Sequence, residues 1–116
     1  MDARTRAALE NSIQHWRENI AQNNCRFIHI GSSYCALCEL FLYNRPNECG
    51  GCPVVEKTGE PLCNGTPWRR CRVTLSSWQD DPDEEAYRNT WRQAAQAMVD
   101  FLISLLPQEE NPTDAA

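Results

Sequence analysis

Leu9, Ile13, Trp16 and Ile20 recur at i, i+4, i+7 and i+11, one stripe on a helix of 3.6 residues per turn. The spacing predicts an amphipathic helix over residues 3 to about 23, capped by Thr5 or Asp2, whose side-chain oxygens can accept a first-turn N–H. Arg4, Arg6, Glu10, Arg17 and Glu18 fall mostly off the stripe and leave that face to water. The longest pattern lies near the other end. Tyr87, Trp91, Ala94, Ala95, Met98, Phe101, Leu102 and Leu105 share one helical face over about five turns, and Pro107 stops the run.

Two shorter signals separate these helices. Thr66-Pro67 reads as a helix start, with Thr66 at the N-cap and Pro67 at N1, opening a helix from Pro67 to about Trp78 with Cys71, Leu75 and Trp78 on one side. In Asp80-Asp81-Pro82-Asp83-Glu84-Glu85, Asp81 suits an N-cap and Pro82 an N1 position, and the acids suit the positive end of the last helix's dipole. This run therefore reads as a capping device rather than a cation site. Phe27-Ile28-His29-Ile30 alternates and halts at Gly31-Ser32-Ser33, which predicts one short strand with His29 facing solvent.

From Tyr34 to Cys63 the periodicity gives way to cysteine, glycine and proline. Such a segment has too few apolar residues to bury a core of its own, so something else must hold it. Cys35-Ala36-Leu37-Cys38 is followed after ten residues by Cys49-Gly50-Gly51-Cys52. Two Cys-x-x-Cys turns can aim four thiolates at one tetrahedral ion, and the glycines permit the tight backbone that such a turn needs. Cys35, Cys38, Cys49 and Cys52 are thus the expected ligands of a structural zinc ion, with Cys63, or His29, as a substitute donor. An iron–sulfur cluster, a redox pair and oxidised disulfides compete for the same residues. Cys25 and Cys71 lack a near cysteine partner and read as small buried hydrophobes. His15, beside Trp16, reads as a residue at the edge of the helix stripe.

Composition narrows the picture. The chain has 116 residues, seven cysteines and a net charge of -5, with 41% hydrophobic and 23% charged residues. Strong non-specific binding to nucleic acid or an anionic membrane is not expected at that charge. No stretch approaches the roughly 18 apolar residues of a membrane span, and the N-terminus has no signal-like apolar run. A cytoplasmic location is expected, where clustered cysteines bind metal more often than they form disulfides. Four thiolates would saturate an ion and leave no place for water, and no HExxH, P-loop or Ser/His/Asp grouping is present, so the metal is expected to be structural and the protein not an enzyme.

The opening Ser12-Ile13-Gln14-His15-Trp16, Cys35-Ala36-Leu37-Cys38, Cys49-Gly50-Gly51-Cys52-Pro53-Val54, Cys63-Asn64-Gly65-Thr66-Pro67-Trp68 and the closing Phe101 to Pro107 resemble small cysteine-rich proteins of tailed bacteriophages and prophages. The resemblance spans nearly the whole chain. It implies a phage origin, a host cytoplasm and a fifth motif cysteine, Cys63; it carries no catalytic residue.

The expected fold is mainly α, a first and last helix packed antiparallel with a middle helix and an irregular zinc-knuckle insertion over 33–66, accompanied at most by a small β-hairpin. Residues 1–107 form one metal-stabilised domain and 108–116 a flexible tail. The shared core is expected from Leu9, Ile13, Trp16, Trp91, Met98, Phe101 and Leu105. The leading functional reading is an interaction module for a host or phage protein, in its sharpest form an inhibitor of a host nucleic-acid enzyme or defence system. The alternative is nucleic-acid binding through Lys57, Arg69, Arg70 and Arg72 around Trp68; iron–sulfur or redox sensing comes third.

Overall fold

The computed structural model describes residues 1–31, 34–41, 51–60 and 63–107. It is mainly α. The order is α1 (Ala3–Ala21), a 3-10 turn (Cys25–Phe27), α2 (Ala36–Phe41), α3 (Pro53–Thr58), α4 (Trp68–Asp80) and α5 (Glu85–Ile103), with no strand among the described residues.

The Asp2 carboxylate starts α1 by accepting the Thr5 N–H at 2.7 Å, and this bond holds its pKa below the usual carboxylate value. The helix stops at Ala21, short of the expected residue 23, because Gln22 turns extended and its side-chain oxygen takes the N–H groups of Asn23 and Asn24. Leu9, Ile13 and Trp16 are buried as the stripe requires, together with Thr5, Ser12 and Asn19.

The acid run links α4 to α5, with its roles shifted from those expected. Asp81 closes α4 by donating its N–H to the Ser77 and Trp78 carbonyls, while Glu84, not Asp81, caps α5 by accepting from the Ala86 N–H. Pro82 lies in the connection rather than at N1, and its carbonyl accepts the Trp78 indole N–H at 3.2 Å. A link this short makes α4 and α5 an antiparallel hairpin. α4 likewise begins one residue later than the Thr66-Pro67 pattern implies. Pro67 occupies the N-cap, and Thr66 serves from outside it by accepting the Trp68 N–H at 3.1 Å.

α1 runs antiparallel to α5. Trp16 meets Trp91 with ring centroids 6.1 Å apart, Arg92 donates to Asn23 at one end, and Thr5 and Leu105 line a common cleft at the other. Trp91, Leu9, Met98, Leu102, Val99 and Cys71 are the largest side chains with essentially no exposure. Of the expected core, Phe101 and Leu105 are only half-buried, and Tyr87 is exposed because it precedes the part of α5 that α1 covers.

The expected strand at Phe27–Ile30 is absent. Its residues enter a 3-10 turn and then an extended stretch whose carbonyls go to helix side chains instead of a partner strand. Gln79 donates to the Cys25 carbonyl at 3.1 Å and the Trp68 indole N–H to the Ile30 carbonyl at 2.7 Å. The His29 carbonyl takes two donors, His15 Nε2 at 2.7 Å and Asn19 Nδ2 at 3.0 Å. A carbonyl only accepts, so His15 carries its proton on Nε2. Residues 25–30 are thereby clamped between α1 and α4.

The cysteine segment is less irregular than its composition suggests, since Ala36–Phe41 and Pro53–Thr58 are helical. Leu37, Phe41 and Val54 are buried, which anchors both short helices. Cys49 and Gly50 fall outside the described residues, as does the 108–116 tail. Because Trp91 is fully buried at the α1–α5 contact, Trp91→Ala should cost about 3–5 kcal/mol in denaturant unfolding. A loss below about 1 kcal/mol would place the core elsewhere.

Candidate metal centre

Cys35, Cys38, Cys52 and Cys63 line one cavity of about 430 Å³. The three long helices supply part of its remaining wall, with Ser12 and Trp16 from α1, Trp68 from α4, and Met98 and Leu102 from α5, and Ile30, Leu37, Val54 and Val55 are among the residues that complete it. Three of the four expected ligands therefore reach a common space, and the substitute donor Cys63 reaches it too. The fourth, Cys49, lies outside the described residues. His29 does not share in this wall; it is exposed and stacks on Tyr34 with centroids 4.4 Å apart.

Each sulfur is placed by a local rule. Cys35 sits immediately before α2, and its carbonyl accepts the Glu39 N–H at 3.0 Å, so it acts as the cap of that helix. Cys38 follows one turn later. Cys52 is the N-cap of α3, with Pro53 supplying the preset φ of the first helical position. Cys63 has φ of 61°, the one left-handed non-glycine among the described residues, a conformation that costs about 1–2 kcal/mol. The Thr66 hydroxyl donates to the Cys63 carbonyl at 2.6 Å and steadies that turn just ahead of α4. In the Cys-Gly-Gly-Cys unit, Gly51 has φ of 85° and its Cα faces the Phe41 ring, so a side chain there would be strained. This matches the backbone demand read from the sequence.

The thiols differ in acidity. Cys35 is lowered from the usual 9.0 to about 6, first by the hydrogen bond from the Cys38 side chain, against the opposing cost of burial, and further by N–H groups of Cys38 and Leu37 and by Ser12. Ser12 Oγ lies 3.7 Å from Cys35 Sγ. Burial pushes Cys71, on α4 and away from the cavity, up to about 12. Cys71 and Cys25 are buried as expected of small hydrophobes. The six described cysteines are not joined in disulfides.

Thiolate chemistry at a shared, mostly apolar cavity fits a thiophilic ion. The distances fit only in part. Zn–S bonds of about 2.3 Å require sulfurs within about 4 Å of one another, and among the described residues no three His, Cys, Asp or Glu side chains are grouped closely enough to hold an ion. Cys35 and Cys38 are a hydrogen-bonded pair on the cavity wall.

The alternative nucleic-acid set is divided by the fold. Trp68 is half-buried, lines the cavity and gives its N–H to Ile30, so it is no stacking platform; Lys57 lies on α3, and only Arg69, Arg70 and Arg72 share the exposed side of α4. The sequence reading missed Ser12. Its signal was a hydroxyl on the apolar stripe of α1, a polar group that needs a partner when buried.

In metal-free protein Cys35 should alkylate with iodoacetamide at pH 7, and Cys71 should stay inert in the folded chain. The folded value of Cys35 lies below the ordinary one, so its contribution to stability is present above about 9 and is lost as pH falls through about 6. Cys71 has the opposite sign, and stability should fall as pH rises from about 9 towards 12. Equal alkylation of Cys35 and Cys71 at pH 7 would contradict this ordering. No family model, curated protein or solved structure matches the chain, so the reading of this site rests on its own geometry.

Proposed function

We propose that the protein is a small non-enzymatic interaction module in which the cysteine cavity takes up a structural zinc ion. One observation carries the reading: residues far apart in sequence, Cys35, Cys38, Cys52 and Cys63, share one cavity on the flank of the α1–α5 seam. Cys35 is already disposed to be a thiolate, the form that binds metal. α2 and α3 have six residues each, too short to persist on helix propensity. An ion drawing their thiolates together would supply the cohesion that their few apolar residues do not. A saturated ion would bind no substrate, and the module would act through its surface.

The size of the cavity favours one second reading. Four cysteines spread around about 430 Å³ also suit an iron–sulfur cluster, which holds its ligating sulfurs farther apart than a single ion does. Elemental analysis of protein purified without air separates the two. The expected result is about one zinc per chain, lost in Cys35→Ser and Cys52→Ser together with the folded state of α2 and α3, and retained in Cys25→Ser. Iron with acid-labile sulfide and a brown colour would replace zinc by the cluster, and metal-free protein of undiminished stability would overturn both.

A further inference from the structure

The geometry points to the face shared by the 25–30 segment and α4 as a binding surface for single-stranded nucleic acid. This goes beyond the metal reading and does not depend on it. The clamps Gln79–Cys25 and Trp68–Ile30 fix the segment antiparallel to α4, since the C-terminal end of the helix holds its beginning and the N-terminal end holds its close. About 17 Å of helix separates Trp68 from Gln79, and between these two clamps the segment runs as the Cys25–Phe27 3-10 turn followed by an extended stretch to Ile30. Cys25 and Ile28 turn inward, which leaves Arg26, Phe27 and His29 outside. Cys71, Leu75 and Trp78 turn inward from α4, which leaves Arg69, Arg70, Arg72 and Val73 outside. Arg72 lies one turn beyond Trp68, on the edge of α4 that meets the segment.

The charge of this face is opposite to that of the molecule. Residues 22–31 and 68–79 contain four arginines and no Asp or Glu, whereas the whole chain carries -5. Arg72 and then Arg69 lie nearest the segment, Arg70 is turned to the other flank of α4, and Asp83 borders the cleft that Arg26 lines. Arg6–Glu10 and Arg88–Glu85 pair away from this face, and among the described residues no ion pair engages these arginines. The aromatic content is equally directed. Phe27 is 63% exposed, the most of any large hydrophobic side chain described, and it is held outward by a turn in which Asn24 accepts the N–H groups of Arg26 and Phe27. Two residues on, at the border of this face with α1, His29 stacks on Tyr34, itself 53% exposed and also stacked towards His15 of α1. Guanidinium forks match phosphate oxygens, and flat exposed rings match unstacked bases. An acidic peptide would use the arginines but not the rings, and a duplex offers no free base face; a single strand uses both.

Fluorescence anisotropy with labelled oligo-dT and oligo-U of about 15 nucleotides tests the assignment. Binding should weaken steeply between about 50 and 200 mM salt. Arg69→Ala and Arg72→Ala should each reduce the salt slope by about 0.7. Phe27→Ala should weaken binding about fivefold or more with the slope unchanged, and Lys57→Ala should change nothing. All of these side chains are exposed, so the variants keep the fold; Arg72→Lys, which keeps the charge, should retain most of the binding. A preference for oligo-U assigns the strand as RNA and a preference for oligo-dT as DNA, and either supports the proposal. Absence of binding at about 50 mM salt, or unaltered binding by an Arg69→Ala/Arg72→Ala double variant, would overturn it. So would poly-glutamate competing as well as oligo-dT while Phe27→Ala is neutral, which would give the face to an acidic protein.

Discussion

The antiparallel contact of α1 with α5, centred on Trp16 against Trp91, is the interaction on which the rest of the molecule depends. Leu9 from one helix and Met98, Val99 and Leu102 from the other complete a seam with almost no exposed side-chain surface. α4 folds back on α5 through the short acid-rich link and adds Cys71, Leu75 and Trp78 to the same core. Everything else is attached to that frame by a few directed contacts. The 25–30 segment hangs from side-chain donors of α1 and α4, and α2 and α3 lean on the seam through Leu37, Phe41 and Val54. The frame also supplies a wall of the cysteine cavity, since Trp16, Met98 and Leu102 belong to both.

Two cysteines show how this frame decides chemistry. Cys35 and Cys71 are the same side chain, yet one is drawn down to about 6 and the other driven up to about 12. The difference is supply of donors. Cys35 stands at a helix start, where N–H groups lack intrahelical partners, with a second thiol and a hydroxyl beside it. Cys71 sits buried within α4, where burial outweighs the lowering by its own backbone N–H and by the charge of Arg70. A metal-binding role is consistent with the first environment and incompatible with the second.

Much of the frame was legible in the sequence because long helices advertise themselves by period. Leu9, Ile13 and Trp16, and Trp91 to Leu102, repeat at helical spacing and are buried as that spacing requires. The 27–30 run misled because alternation reports which side chains face inward, and Ile28 does, but not whether a partner strand exists; here helix side chains took the carbonyls instead. Helix starts were off by one to three residues where two cap-forming residues compete, as Thr66 and Pro67 do, or Asp81 and Glu84. At the site, spacing identified the paired turns of Cys35 and Cys38, a local feature. That Cys63, offered only as a substitute donor, and Ser12, marked only as a hydroxyl on an apolar stripe, reach the same cavity is a product of tertiary packing.

The central claim is that thiolate-held metal joins α2 and α3 to a frame that stands without it. Amide hydrogen exchange, compared between zinc-loaded protein and the same protein after chelation, tests this most directly. The account predicts that chelation abolishes protection in α2 and α3 while α5 keeps its own. Equal protection of α2 and α3 in both samples would contradict it, and would mean that packing alone holds the cysteine segment in place.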